Sequence, residues 1–501
     1  MRQLISAVWF KKGFPVALCF ANMAFAGETS PMTTDVLLST QPNFFPPFQT
    51  DVSNRITADS SKNGAITCTG AYYDVLGSKE TDSAGTLSSV NSYAALSTID
   101  AWVRRGKWNY SLFGDFSDLR VSAADKSIDL NVSSSSLMGR AGMGVGYSKG
   151  RLILNGTLWT VPLTIDGDAG DRSFIRKNGC RLSAAWSLPR MYSEVSFDFS
   201  PIHSSLTTVS SLSSGARRGF PLYVMRAQTN LTVAYYSETF SVGLTPSYVE
   251  LGSDTSMATP YKLNTDVYAQ GGQLSAWTDV KCLLAPIRAQ ATVKKYSFAA
   301  AGVDGMQEYF FLPDAGLSSG QGRLQCRLPG ACSLGLFGEI TDIKVPAGYF
   351  EAFPFSSWTI FDPIHYKITR ISQVLHEGGL CIDKKCMLSN SSTVNAGLDG
   401  SFLYYKSVLG YKERKVQILI PYYSDESVEL MESKFIIVKV NIGYMLKFGT
   451  YALSIAGGQI IPISISNQGS VQSASAPQTG KTIHHQAYGG LIIKAAVTMD
   501  Y

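Results

Sequence analysis

Apolar and polar residues alternate with a period of two along many segments of this chain. Between residues 436 and 444, apolar side chains occupy nearly every even position, whereas Lys439 and Asn441 fall on odd ones. This period is that of a β-strand with two unlike faces. A transmembrane helix over the same residues would carry Lys439 and Lys447 into lipid, so the pattern predicts a strand.

The alternation recurs in tandem, with turn residues between successive segments. Residues 223–235 are long enough to cross a bilayer as a tilted strand, which takes about 9 to 11 residues. The short links 148–151, 188–190 and 237–239 predict tight turns, whereas residues 200–219 predict a long polar connection. Short turns at one end and long connections at the other are typical of membrane β-barrels.

We therefore predict an all-β fold, an antiparallel transmembrane β-barrel of about 16 strands, with a range of about 14 to 18. Residues 92–501 form the predicted barrel. Residues 27–91 alternate less clearly and leave three alternatives: a periplasmic segment, an insert in the lumen, or a first strand. After residue 26, no stretch offers the ~18 uninterrupted apolar residues of a helical span.

Residues 1–26 have the three parts of a secretory signal peptide. Arg2, Lys11 and Lys12 supply the positive start, residues 13–25 are uncharged and mostly apolar, and Ala24-Phe25-Ala26 is an A-x-A cleavage site. Three of the 43 Lys and Arg residues lie in this signal, which leaves 40 against 38 acidic residues. The mature chain is thus nearly neutral, and we expect no nucleic-acid partner, because such proteins carry a basic face.

The composition also favours a membrane barrel over a soluble protein. Charged residues make up only 16% of the chain, and it contains 25 Tyr and 25 Phe. Soluble domains average about 25% charged residues. A barrel with lipid on its outer face needs less charge and uses aromatic residues in girdles at the two membrane surfaces.

The last segment of the chain alternates most regularly. One face of residues 491–501 is apolar throughout and ends on Tyr501, whereas Lys494 lies on the other. This end resembles that of Gram-negative outer-membrane β-barrel proteins, a porin-like class whose chains finish on an aromatic residue after alternating apolar positions. The resemblance implies location in the cell outer membrane and recognition by the barrel assembly machinery, with Val497, Met499 and Tyr501 as the assembly signal.

The polar faces of the clearer strands supply candidate pore-lining residues. If these faces point inward, charged side chains on them set the ion preference of a channel. The candidates are Arg140, Arg181, Glu194, Asp198, Arg226, Arg288, Lys294, Lys439 and Lys494. Basic residues outnumber acidic ones in this set, which favours a modest preference for anions.

Seven cysteines follow the predicted cleavage site, and two close pairs are candidate disulfides in an oxidising envelope. Cys326 and Cys332 flank a Pro-Gly turn, and Cys381 and Cys386 bracket a charged stretch predicted as a loop. Neither spacing is that of a zinc site. The odd number leaves at least one free thiol or an intermolecular bridge.

Other residues offer little chemistry. Asp166, Asp168 and Asp171 lie in a glycine-rich stretch that is a weak candidate for Ca²⁺, which takes six to eight oxygen ligands. A polar loop between strands has the same composition, and we predict no resident metal. The five histidines do not accompany a recognisable nucleophile and orienting acid. We expect no cofactor and no enzyme activity.

Three functions remain open on the sequence. The first is a passive channel for small hydrophilic solutes or ions, with outer-membrane lipid as its surroundings; a homo-oligomer is compatible with it. The second is an uptake channel for an apolar substrate, which needs a lumen plug. The third is an adhesin or structural barrel that acts through long loops such as 200–219 and 381–395.

Overall fold

The computed structural model describes most of the chain after residue 62. The described residues are 63–82, 85–125, 130–166, 172–210, 217–253, 263–281, 285–304, 307–352, 364–417, 420–473, 484–488 and 490–500. All regular structure in these residues is β-strand, and among them no helix is long and apolar enough to cross a membrane. The predicted signal peptide lies outside the described residues.

Strands follow one another along the whole described chain. Their bounds are β1 (Gly64–Asp82), β2 (Gly85–Arg105), β3 (Trp108–Asp125), β4 (Leu130–Lys149), β5 (Leu152–Asp166), β6 (Arg172–Ser187), β7 (Met191–Ser210), β8 (Arg217–Tyr236), β9 (Phe240–Ser253), β10 (Leu263–Lys281), β11 (Pro286–Asp304), β12 (Gln307–Leu328), β13 (Cys332–Val345), β14 (Gly348–Ala352), β15 (Ile364–Met387), β16 (Ser392–Gln417), β17 (Ile420–Tyr423), β18 (Ser427–Phe448), β19 (Tyr451–Ser473), β20 (His484–Tyr488) and β21 (Leu491–Asp500).

The strands form one closed antiparallel barrel. Each strand pairs with its sequence neighbours, and β21 pairs with both β19 and β1, which joins the two ends of the sheet. Short interruptions divide three strands of the barrel into two segments each. These divided strands are β13 with β14, β17 with β18, and β20 with β21. The described barrel therefore has 18 strands rather than about 16. An antiparallel barrel must close on an even number.

The barrel also starts earlier than the sequence predicts. β1 and β2 pair with each other from Gly64 with Val103 to Asp82 with Gly85, and β1 closes the barrel against β21. Residues 64–91, which the sequence analysis placed before the barrel, thus contribute its first strands. Within the segment 27–91, residues 64–82 and 85–91 are strand, and residues 27–62 lie outside the described part.

One end of the barrel, called here the turn end, carries the tight connections. The three predicted turns at residues 148–151, 188–190 and 237–239 are confirmed. Gly106, Gly150 and Gly449 each open a two-residue turn with φ near 60°. This geometry fits type II′ turns, in which glycine takes the first central position because its φ is positive.

The opposite end, called the loop end, differs from the prediction because the strands are longer. β7 runs to Ser210 and β8 begins at Arg217, so most of the predicted connection 200–219 is strand. Residues 381–387, also predicted as part of a loop, belong to β15, and the four-residue turn that follows, 388–391, lies at the turn end. At the loop end, β4 also pairs directly with β7, at residues 130–135 and 205–210. The strands thus continue beyond the ~9–11 residues that a membrane requires.

The outer face of the barrel is apolar and ends in aromatic residues. At the turn end, rings on this face pair across neighbouring strands, as in Trp108 with Tyr147 at 4.8 Å and Phe448 with Tyr451 at 5.6 Å between centroids. Phe240 and Tyr248 are both exposed on this face and lie eight residues apart along β9. This separation is about 26 Å along the strand.

Glycines on the inner face make room for aromatic rings from the next strand. A Cβ on Gly142 would lie 2.5 Å from both the Leu158 carbonyl oxygen and Cζ of Phe113. Trp159 covers Gly179 in the same way. The rings therefore lie flat against the wall of the barrel.

We predict that Gly142→Ala destabilises the barrel by about 1–3 kcal/mol, because the added methyl group displaces the Phe113 ring. Thermal unfolding of the detergent-solubilised protein measures the effect. Gly400→Ala is the matched control, since nothing lies within 4 Å of a Cβ there. Equal melting temperatures for the two variants would contradict this role of Gly142.

Candidate functional site: the inner wall of the barrel

The two faces of each strand differ sharply in exposure. In β18, Val440 is 46% exposed, whereas the adjacent Lys439 is only 8% exposed. Successive side chains of a strand point to opposite faces, so the exposed apolar residues form the outside and the polar ones the inside. We call the inward-pointing side chains the inner wall. This wall is the candidate functional site, because any solute that passes through the barrel must move along it.

Most of the predicted pore-lining residues lie on the inner wall. Strand pairing and alternation place there Arg181, Glu194, Asp198, Arg226, Arg288, Lys294, Lys439 and Lys494. The side chain of Arg140 lies outside the described part. Whether these residues line an open pore stays a prediction.

A buried ion pair on β7 and β8 forms the first group of charges. Arg226 Nη2 lies 3.3 Å from Asp198 Oδ1, and both side chains are almost fully buried. Ser200 Oγ donates a hydrogen bond of 2.5 Å to the same carboxylate oxygen. Arg181 of β6 lies directly across from Asp198 in the sheet. The Asp198 carboxylate is therefore held between strands by charge and by a hydroxyl group.

A second group spans β13 to β18. Glu339 and Glu377 are direct cross-strand partners, an arrangement of like charges that destabilises a sheet unless other groups compensate. Lys439 Nζ lies 3.4 Å from Glu377 Oε1, and Ser401 Oγ donates to the same oxygen at 2.6 Å. Thr341 Oγ1 donates to Glu339 at 3.4 Å. Lys439 thus reaches over β16 to stabilise one member of the acidic pair.

Two further pairs lie nearer the turn end. Arg288 contacts both carboxylate oxygens of Asp279, at 2.6 and 3.0 Å, and the bidentate geometry favours a strong interaction. Arg323 Nη2 lies 3.9 Å from Asp383 and donates to the Cys381 sulfur at 3.4 Å.

Sequence reasoning missed several acidic residues of the inner wall. They are Asp100, Asp279, Glu339, Glu377, Asp383 and Asp399. Each alternates with apolar outward residues, so a strict period-two count through every strand would have found them. With them included, acidic and basic residues on the described inner wall are nearly balanced.

The predicted disulfides are not formed. All six described cysteines are free. Cys381 and Cys386 lie in β15, not in a loop, and their odd spacing puts them on opposite faces of the strand. Cys326 is opposite Leu334 and Cys332 opposite Leu328, so these two cysteines are diagonal neighbours. Diagonal Cα atoms lie about 7–8 Å apart, beyond the usual reach of a disulfide.

The weak calcium candidate lies mostly outside the described residues. Asp168 and Asp171 are not described, and Asp166 is the last residue of β5, without a described side chain. Among the residues that are described, no group of three His, Cys, Asp or Glu side chains could hold a metal ion. The prediction for these aspartates remains untested.

Part of the inner wall towards the loop end is apolar. Leu251, Ile343, Val345 and Ile371 point inward and are 1–2% exposed. Ile343 lies across from Leu317, and Ile371 from Leu409, so the apolar residues extend over neighbouring strands. The inner wall thus combines a charged zone with an apolar one, a feature that the sequence analysis did not identify.

No family model and no curated protein matches the sequence. Among solved structures, the chain is similar to a bacterial polysaccharide outer membrane secretin, with 10% identity and a TM-score of 0.34 over 88% of this chain and 100% of that one. It is also similar to the toluene transporter TodX of P. putida, with 11% identity and a TM-score of 0.33 over 87% and 90% of the two chains. OccK7 of Pseudomonas aeruginosa gives 10% identity and a TM-score of 0.35 over 88% and 99%.

All three TM-scores are below 0.5, and these similarities do not establish the fold. The strand pairing of this chain itself establishes the barrel. That pairing gives a closed antiparallel wall, apolar outside and largely polar inside, which is the construction of outer-membrane barrels. The described residues form a closed, all-β antiparallel barrel.

We predict that Arg226→Gln lowers stability by about 3–5 kcal/mol, because the buried Asp198 carboxylate loses its ion pair with Arg226. Thermal unfolding in detergent measures the change. The double variant Asp198→Asn with Arg226→Gln should recover much of the loss, since no buried charge then remains unpaired in this pair. If the loss of stability in the double variant equals the sum of the losses in the two single variants, the two side chains are not coupled.

Proposed function

We propose that the protein is a passive channel for small hydrophilic solutes or ions across the outer membrane. The observation that carries the proposal is the contrast between the two faces of the barrel. The outer face offers apolar side chains to lipid, whereas the inner wall holds arginine, lysine, aspartate and glutamate side chains on strands from β2 to β21. Charge on an enclosed surface suits a path for polar solutes.

The barrel size supports this function. Eighteen strands enclose more space than side chains from the wall can fill, and barrels of 16 to 18 strands leave an aqueous channel. The proposed passage involves no chemical step, so catalysis is not part of it. The exposed apolar face of β21, which includes Val497, is the proposed contact for the assembly machinery.

The pairing of charges bears on ion preference. Four basic residues of the inner wall, Arg226, Arg288, Arg323 and Lys439, each contact a carboxylate. Paired charges largely cancel each other's field at a distance. We therefore propose a channel of weak ion selectivity in place of the modest anion preference favoured by the sequence.

Planar-bilayer recording tests this proposal. We expect stepwise conductance from the folded protein, with a ratio of anion to cation permeability within about threefold of unity, because the wall charges are nearly balanced. The reversal potential in a salt gradient gives the ratio. Absence of conductance from protein with intact heat-modifiable gel mobility would count against a channel. Strong selectivity for anions or for cations would contradict the proposed weak ion selectivity.

The apolar zone of the inner wall supports a second candidate, an uptake channel for an apolar substrate. Leu251, Ile343 and Val345 make this part of the wall apolar. Ile343→Asn distinguishes the two functions. It should reduce uptake of an apolar solute into proteoliposomes severalfold and leave ion conductance nearly unchanged. Equal effects on both would remove the second candidate.

A further inference from the structure

The outer face of β15, β16 and β18 changes from apolar to basic towards the loop end. Ile436 of β18 is 41% exposed, and in the described part of that strand no large apolar residue nearer the loop end is as exposed. The next outward residue, Lys434, has its Nζ 5.9 Å from the centre of the Tyr404 ring. Aromatic residues form girdles where lipid tails meet polar head groups. We take this row of the sheet as the loop-end edge of the apolar band.

Four basic residues lie on the outer face beyond that row. Alternation places them outward, because the positions beside them, such as Ile371 and Tyr411, are inward and almost fully buried. We call these four residues the basic patch: Lys367 and Arg370 of β15, which are exposed, and Lys406 and Lys412 of β16, which are half-buried.

Two members of the basic patch repel each other. Lys367 and Lys412 are direct partners across β15 and β16, and like charges in such positions destabilise a sheet. On the inner wall, Lys439 compensates the corresponding pair of Glu339 and Glu377. In the described part of the chain, no carboxylate forms an ion pair with either lysine of the outer pair. A bound anion from outside the protein would compensate it.

The acidic residues close to the basic patch do not neutralise it. Glu432 lies across from Lys406, but its carboxylate contacts Lys434 at 3.1 Å. Glu426 accepts a hydrogen bond of 2.5 Å from Thr369 on the same side of the sheet. The cations therefore remain in excess on this part of the outer face.

Another sector of the outer face has a different composition at the corresponding position. On β9, Glu250 follows the exposed Tyr248 by one outward position, and it lies across from Gln270 of β10. Its neighbours Val249 and Leu251 are 3% and 1% exposed and point inward. The basic patch thus belongs to one sector of the barrel, which favours a local ligand over a general attraction to a charged surface.

The basic patch is also long in the direction of the strands. From Tyr404 to Lys412, β16 rises about 26 Å, which is roughly 20 Å along the membrane normal for a strand tilted by ~35–45°. Lys406 and Arg370 lie between these levels. A phospholipid carries its phosphate at a single depth. A glycolipid with phosphates on several sugars of its head group offers negative charge at more than one level.

We propose that the basic patch binds a phosphorylated glycolipid of the lipopolysaccharide type. Its acyl chains lie against Ile436, and its sugar phosphates contact Lys406, Arg370 and the pair of Lys367 and Lys412. Arginine offers two parallel N–H donors to a phosphate, and lysine acts as a point charge. The inference rests on the proposed place of the barrel in an outer membrane, where longer loops face outward and short turns face the periplasm.

Binding of fluorescently labelled rough lipopolysaccharide, phosphorylated in its lipid A and its inner core, tests the proposal. The full chain is titrated in a non-ionic detergent. We expect Lys367→Gln, Arg370→Gln, Lys406→Gln and Lys412→Gln together to weaken binding about tenfold or more, because each substitution removes a charge-assisted contact with a phosphate.

A matched control removes the same charge from the turn end. It combines Arg105→Gln, Lys107→Gln, Lys149→Gln and Arg151→Gln, at four exposed positions. This variant should bind the lipopolysaccharide within about twofold of the parent protein, because electrostatic attraction to a remote charge is screened by salt. Equal weakening in the two fourfold variants would overturn the proposal, since binding would then follow net charge alone.

Competition identifies the ligand. Unlabelled rough lipopolysaccharide should displace the labelled form, whereas its enzymatically dephosphorylated form, phosphatidylglycerol and inorganic phosphate should each do so at least about tenfold less well. Equal displacement by the dephosphorylated form would mean recognition of acyl chains without phosphates. Equal displacement by phosphatidylglycerol or by inorganic phosphate would point to a phospholipid or a free anion. Each of these results would contradict the glycolipid.

The single variant Lys367→Gln keeps the test decisive if the fourfold variant does not fold. Without lipid it should melt at or above the temperature of the parent protein, because the repulsion from Lys412 is removed. With saturating rough lipopolysaccharide it should melt below the parent, because a ligand stabilises the form that binds it more tightly. The same order of melting temperatures with and without lipid would reject a phosphate at this pair.

The proposed channel and the basic patch can fail separately. Conductance from a parent protein that binds the lipopolysaccharide no better than the fourfold patch variant would support the channel and reject the patch. Binding that depends on the patch, in a folded protein without conductance, would support the patch and reject the channel.

Discussion

β1 and β21 pair with each other and thereby close the barrel. These two strands lie at opposite ends of the described chain, and their antiparallel pairing runs from Ala65 with Asp500 to Tyr73 with Ile492. In lipid, an open sheet edge would leave backbone N–H and C=O groups without partners, at several kcal/mol each. Closure removes both edges at once, and it also creates an enclosed face.

Enclosure gives opposite chemical roles to alternate residues. The same period of two that turns Val440 outward turns Lys439 inward, where it meets Glu377 from β15. A one-residue slip in any strand pair would exchange these faces, so the charged inner wall fixes the register as firmly as the apolar outer face does. The rule also separates Cys381 from Cys386, which lie on opposite faces of one strand.

Charge pairing defines the electrostatic character of the inner wall. The carboxylates of Asp198, Glu377 and Asp279 each contact a basic residue within the wall, so little of their field extends into the enclosed space. The pairs differ in burial: Asp198 and Arg226 are almost fully buried, whereas Arg288 and Asp279 near the turn end are 42% and 35% exposed.

Local patterns in the chain were enough to predict the period of two, the faces of Lys439 and Lys494, the tight turns, and an all-β antiparallel barrel. These follow from side-chain alternation and from turn residues such as Gly150, which act within a few positions of the chain. Pairing between distant segments set the strand lengths and their number: residues 200–210, polar enough to suggest a loop, extend β7 by pairing with β8, and β1 joins the barrel by pairing with β2 and β21. The partners of the inner charges and the free state of the cysteines were likewise decided by that tertiary pairing. Glu377 and Lys439 are 62 residues apart and meet through the register of strands between them, which no local pattern specifies.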